Sequence, residues 1–370
     1  MSYLNPDSYV LIYIGFPHLI QLTAPNRQNR QINAFDVAPD LSQIALGFND
    51  GSIHRLPLSL HTRTQLQNGA RNASTTPQAK RVTYRAHVAT ITSLRYFPSS
   101  RVLLAASADF SLTILDAEIS PTSSTQNGEL RPVRTLKGHS RSVTDASIIS
   151  RGRNVLSCAK DGTVRLWDVG GGSQIRMMNV KNFSGVNAIS VGTSADGGIS
   201  DDGEALIDER EVETEDKVVY CALQDGAFEA IDLRTKRSTY NSLDSMSGSG
   251  ASTRSSLTSI ALSSTTQLLV TGTSQGVISL YDTRSLRSTL ASWRRNESPI
   301  ESIAFLPSSN ELAVATEDGL PYIADISSPN RDVIGVGAEL VGGNCEAVRC
   351  LRVNGGGVWT ADEEGIVRTY

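Results

Sequence analysis

One short pattern recurs along this chain and restricts its fold more than any other feature. An acidic residue followed by glycine closes a tight turn at Asn49-Asp50-Gly51, Lys160-Asp161-Gly162, Gln224-Asp225-Gly226 and Glu317-Asp318-Gly319, with variants at Ala108-Asp109-Phe110, Ser274-Gln275-Gly276 and Glu363-Glu364-Gly365. A tight hairpin turn needs a residue at positive φ, which glycine supplies at no steric cost. A short apolar strand precedes each turn, for example over 102–106, 268–272 and 312–315, and an alternating strand follows it. In most copies that second strand ends on aspartate, as at Leu115-Asp116, Trp167-Asp168, Ile231-Asp232, Tyr281-Asp282 and Ala324-Asp325; Leu56-Pro57 is a weaker counterpart. Successive turns lie 43 to 64 residues apart, the length of a four-stranded unit with its loops. A unit of this size cannot bury its faces alone, so the seven copies must pack on one another.

The copy over residues 136–168 is the most complete. Gly138-His139 starts it, strands follow over 143–149 and 154–157, and the turn at Asp161 leads into a strand ending on Trp167-Asp168. His139, Ser157, Asp161 and Trp167 are spaced for a buried relay from indole N–H to hydroxyl, hydroxyl to imidazole, and imidazole to carboxylate. Each donor is then satisfied, which makes burying four polar groups tolerable. Elsewhere the relay is partial: the copy before it keeps His87 and Asp109 but has Ala105 and Leu115 in place of serine and tryptophan. The last keeps Thr360 and Tyr370 without a histidine. These features predict an all-β fold, a seven-bladed WD40 β-propeller over residues 32–370, with 136–168 as one whole blade.

A propeller must also close. The last copy stops at Val367-Arg368-Thr369-Tyr370, its third strand, and residues 1–31 offer two candidate strands, 9–14 and 19–22, to complete it. Closure removes an exposed edge; the competing reading of this apolar segment is a tail that binds a partner. Long polar loops are expected at 61–79 and 118–131, a solvated acidic insertion at 192–217, and a Ser/Gly-rich link at 241–256.

A net charge of −4 and a pI near 5.8 give no general attraction to nucleic acid or to acidic membranes. The apolar run over 9–16 is too short to span a bilayer. Cys158, Cys221, Cys345 and Cys350 read as thiols rather than a metal site, and no catalytic constellation or cofactor motif is evident. The recurring aspartates repeat because the turn repeats. What remains is a binding module, expected as a monomer, whose partners meet its loop rim.

On a WD40 propeller one rim is built from the residue before the turn aspartate and from the start of each first strand. Here those positions include Thr144 with Lys160, Asn187 with Gln224, Glu301 with Glu317, and Arg349 with Glu363; Asp362 and Glu364 stand beside the last. Acidic residues thus gather on the last two blades. They form either an ordinary solvated rim or a patch that docks a basic protein surface.

The run from Arg151 to Ser157, continuing through Lys160-Asp161-Gly162-Thr163-Val164-Arg165-Leu166-Trp167-Asp168-Val169-Gly170, resembles the signature stretch of the proteasomal ATPase-associated factor family. Leu136-Lys137-Gly138-His139, Val143-Thr144-Asp145 and Gly185-Val186-Asn187-Ala188-Ile189 fit the same family, and the resemblance covers about residues 84–190. Fungal members of that family are assembly chaperones of the proteasome regulatory particle. The resemblance implies a non-enzymatic propeller, cytoplasmic and nuclear, that binds the C-terminal domain of one proteasome ATPase subunit and delays its docking on the core particle. An acidic face does this in the family, with Glu301, Glu317 and Glu363 as the counterpart here. The competing readings are a different WD40 scaffold, such as a ubiquitin-ligase substrate receptor or a signalling or ribosome-biogenesis adaptor, and a propeller enzyme working in the central channel. The latter would need titratable groups on the first strands, where runs such as Ile260-Ala261-Leu262 are apolar.

Overall fold

The computed structural model describes residues 2–3, 18–21, 30–58, 82–119, 130–193, 208–243, 254–307, 310–327, 335–341 and 346–370. Seven antiparallel sheets follow one another, each with its strands in the order first, second, third, outer. Blade one uses Ile32–Val37, Gln43–Phe48, Ser52–Pro57 and Val82–Arg85, and blade two uses Ile91–Tyr96, Val102–Ser107, Ser111–Asp116 and Arg131–Lys137. Blade three uses Val143–Ile149, Asn154–Ala159, Thr163–Asp168 and Ser173–Asn179. Blades four, five and six begin at Val186–Thr193, Leu257–Ser263 and Ile300–Phe305. Blade seven begins at Val348–Asn354, which packs back against the first strand of blade one, and the ring is complete.

The closing strand is His18–Gln21, paired antiparallel with Ile366–Thr369. It corresponds to the second of the two candidates; residues 9–14 lie outside the described residues. A further short strand, Ser2–Tyr3, pairs in parallel with Trp293 and Arg294 on the outer edge of blade five.

Burial follows from the pleat. The second strands of blades one and three are buried along their whole length, because a neighbouring blade covers each face. Seven apolar clusters result, one at each junction between adjacent blades. Between blades two and three, for instance, Phe97, Leu104 and Leu112 meet Val143, Val155 and Trp167. Fully burying side chains of this kind contributes about 1.5–3 kcal/mol each.

Three expectations are corrected. The sequence repeat over 136–168 is not one blade: Leu136 and Lys137 end the outer strand of blade two, and His139 lies in the connection to blade three, whose own outer strand is Ser173–Asn179. Repeat and blade are offset by one strand, so every repeat staples two blades together. The acidic stretch over 192–217 is only partly a solvated insertion. Residues 192 and 193 end a strand, Thr214 is buried, and Glu211 forms an ion pair with Arg176. There the buried Asn154 side chain donates to the Arg210 carbonyl at 3.0 Å and accepts from the Val212 amide at 2.7 Å, which anchors 208–217 to blade three. Finally, Leu130 is buried and Arg131 and Asn241 belong to outer strands, so the loops around them are shorter than expected; residues 61–79 lie outside the described residues.

Candidate functional site

The rim at the mouth of the ring is made by a device repeated in all seven blades. Pairing between first and second strands slips at the second residue of the first strand, a β-bulge that turns one side chain out of the ladder. The turned-out residues are Asn33, Thr92, Thr144, Asn187, Thr258, Glu301 and Arg349, and all seven line one polar cavity of about 230 Å³ on the axis.

Several of these side chains tie one blade to the next. Thr144 Oγ1 donates to the Val186 carbonyl at 2.7 Å, Asn187 Nδ2 to the Leu257 carbonyl at 2.5 Å, and Thr258 Oγ1 to the Ile300 carbonyl at 2.5 Å. Lys160 donates from its ammonium to Asn187 Oδ1, which commits both of these rim candidates to the junction. Burial holds the Lys160 amine below its ordinary range.

The step from blade six to blade seven is different because it is charged. Arg349 Nη1 lies 2.9 Å from Glu301 Oε1, and Nη2 lies 3.3 Å from Glu363 Oε2 and 3.8 Å from Glu317 Oε1. Three carboxylates share one guanidinium, a formal local charge of −2. Burial is the main cause that pushes the Glu301 carboxyl up; Arg349 opposes it, and Glu317 and Glu363 reinforce it. The cluster therefore holds negative charge that its own cation does not balance.

Asp362 is not part of this rim. It is 1 % exposed, its Oδ2 accepts from Arg368 Nη1 at 2.6 Å, and its Oδ1 accepts from the Ile366 amide at 2.7 Å. The residue sits at the end of the second strand, one position earlier than a rim residue, and so faces inward.

In blade three, Trp167 Nε1 donates to Ser157 Oγ at 2.8 Å, Ser157 Oγ is 2.8 Å from His139 Nε2, and His139 Nδ1 is 3.0 Å from Asp161 Oδ2. Asp161 also accepts from the Thr163 hydroxyl at 2.7 Å and the Ser140 amide at 2.9 Å. Burial lowers the His139 pKa, so the neutral ring relays one hydrogen bond on each side. The turn aspartates accept from the amide two residues on, as Asp50 does from Ser52, and so do the strand-end aspartates, as Asp282 does from Arg284. Both recurrences in the sequence are thus backbone turns.

The channel differs from expectation. Instead of apolar first strands, it carries Asp36, Arg95, Asp145 and Arg352. Asp145 Oδ1 accepts from Ser93 at 2.9 Å and from Arg95 at 3.2 Å, and Asp36 accepts from the Tyr96 amide at 2.6 Å and from Arg352 Nε at 3.2 Å. Burial raises the Asp36 pKa to about 6. Each of these acids bonds across a blade boundary, and each is engaged in holding the ring. Their sequence signal was a charged residue at alternate positions of an apolar strand, as in Leu94-Arg95-Tyr96 and Leu351-Arg352-Val353.

The fold and this rim define a class: a seven-bladed β-propeller of WD40 repeats. WD40 repeat models match residues 79–116 and 130–168, the same one-strand offset seen in the blades, and a model for the N-terminal domain of nucleolar protein 10-like proteins matches residues 199–320. Among curated proteins, the chain is 25 % identical over 234 residues to a WD repeat-containing protein 91 homolog of Dictyostelium discoideum, covering 56 % of this chain and 30 % of that one. It is 35 % identical over 114 residues to the 26S proteasome regulatory subunit RPN14 of Saccharomyces cerevisiae, covering 30 % and 25 %. It is 29 % identical over 170 residues to a probable proteasomal ATPase-associated factor 1 of Dictyostelium discoideum, covering 44 % and 38 %. The matches span well under half the length of each of these relatives.

Proposed function

We propose that this chain is a non-enzymatic binding protein of proteasome assembly, acting in cytoplasm and nucleus, which engages the C-terminal domain of one regulatory-particle ATPase subunit. The observation that carries this reading is the Arg349 cluster. Its excess negative charge is partly buried at the mouth of a rigid ring, where a lysine or arginine of the partner completes the pairing and sets docking register. The similarity to two proteasome-associated proteins supports the choice of partner. The test is capture of individual proteasome ATPase C-terminal domains by the full chain and by a Glu301→Gln, Glu317→Gln, Glu363→Gln variant. We expect one domain to bind, and binding to fall about tenfold or more in the variant, as for loss of paired interface charge, with little change in thermal midpoint.

A second reading is an adaptor in ribosome biogenesis, supported by the nucleolar protein 10-like match over 199–320. Co-purification of ribosomal precursors without proteasome ATPases would select it and remove the first.

A further inference from the structure

A second surface lies two blade junctions round the ring from the acidic cluster, on blades one and two. Phe110 stands where other turns carry glycine: its φ is 73°, against 81° at Gly51, 74° at Gly162 and 83° at Gly226. A phenylalanine in this conformation is strained, and this one is also 46 % exposed. Val88, in the adjacent connection, is 79 % exposed. Both line an open groove of about 740 Å³ that runs between the end of the blade-one outer strand and the third and outer strands of blade two. Exposed Arg85 and Lys137 line the same groove. Its acid, Asp109, is already engaged: the carboxylate accepts from His87 Nδ1 at 2.9 Å, from the Ser111 hydroxyl at 2.7 Å, and from the amides of Val88 and Ser111. The groove therefore offers two apolar contacts and two cations, with its one carboxylate spent on the fold.

We propose that this groove docks an extended acidic segment of a partner protein, with a large apolar side chain of that segment seated against Val88 and Phe110 and its carboxylates on Arg85 and Lys137. Charge complementarity selects this occupant: a basic segment meets Arg85 and Lys137, and a purely apolar one leaves both cations unused. The site is separate from the acidic cluster of blades six and seven, so a partner that spans the face is gripped by opposite charges at its two ends.

The experiment is fluorescence anisotropy of the full chain with a fluorescein-labelled peptide of Asp, Glu and Leu, and with a counterpart in which Lys replaces the acids. We expect saturable binding of the acidic peptide and at least about tenfold weaker binding of the basic one. Phe110→Gly and the Arg85→Glu, Lys137→Glu pair should each weaken the acidic peptide about tenfold. Phe110→Gly relieves the backbone, so its thermal midpoint should hold or rise, which separates lost docking from lost folding. The triple glutamine variant of the acidic cluster should bind this peptide as the parent does, so failure at one site is distinguishable from failure at the other. Equal binding of both peptides, no saturable binding of the acidic one, or unchanged binding by Phe110→Gly would overturn the proposal. So would a concentration-dependent dimer that Phe110→Gly abolishes, since the occupant would then be a second copy of this chain.

Discussion

In blade three Ser157 links His139 to Trp167, whereas in blade two Ala105 and Leu115 hold the corresponding positions and the buried His87 Nε2 meets no serine hydroxyl. The strand registers are nevertheless the same: Ala105 lies opposite Thr113 as Ser157 lies opposite Arg165, and Leu103 opposite Leu115 as Val155 opposite Trp167. Backbone ladders and junction cores are therefore sufficient to shape a blade. The relay adds something else, a fixed grip on the connection that carries the histidine. In blade two, where it is incomplete, the neighbouring turn bears an exposed phenylalanine instead of glycine. The better-braced blade has the plainer turn.

Three substitutions probe this contrast. Trp167→Ala should have the largest effect, a loss of about 3–5 kcal/mol in denaturant unfolding, because it opens a cavity between blades two and three and breaks the relay. A loss under about 1 kcal/mol would mean the junction does not depend on the ring. Ser157→Ala keeps the packing but strands the Trp167 N–H and His139 Nε2, and should cost about 2–3 kcal/mol; if it matches the parent, the relay contributes nothing to stability. Ala105→Ser in blade two offers His87 Nε2 a partner and should gain about 1 kcal/mol or less. A clear destabilisation there would show that blade two has no room for the hydroxyl, and that the two blades differ in packing as well as in hydrogen bonding.

The ring itself was legible because turn chemistry is local. An aspartate that caps the amide two residues on, and a glycine at positive φ, leave their mark within four residues; four turns carry both marks and the other three carry one, and together they count seven blades. In five blades the bulged rim position also stands 17 residues before the middle residue of the turn, a local spacing that can be read from the sequence; in blade four the insertion stretches it to 38, from Asn187 to Asp225, and in blade seven it is 15, from Arg349 to Glu364. Partners across blades were not. Arg349 meets Glu301 from 48 residues away, and which carboxylates it gathers depends on how two blades face each other. Asp362 shows the limit most clearly. It sits in an acidic run that reads as surface, but strand alternation points it inward, onto Arg368. The anchored part of the acidic insertion was hidden by composition, since nothing in its charge announces that Asn154 will hold its backbone.

The pairing of His18–Gln21 with Ile366–Thr369 also sets a schedule for biosynthesis. Six blades can assemble as they leave the ribosome, each stacking on the one before. The segment that closes the seventh precedes blade one in the chain and must wait, unpaired, until residues 348–369 have been made. For that interval the growing arc carries two open faces, one on blade one and one on the newest blade, both apolar and both able to capture another nascent chain. That exposure should last until the final strand of blade seven has been made.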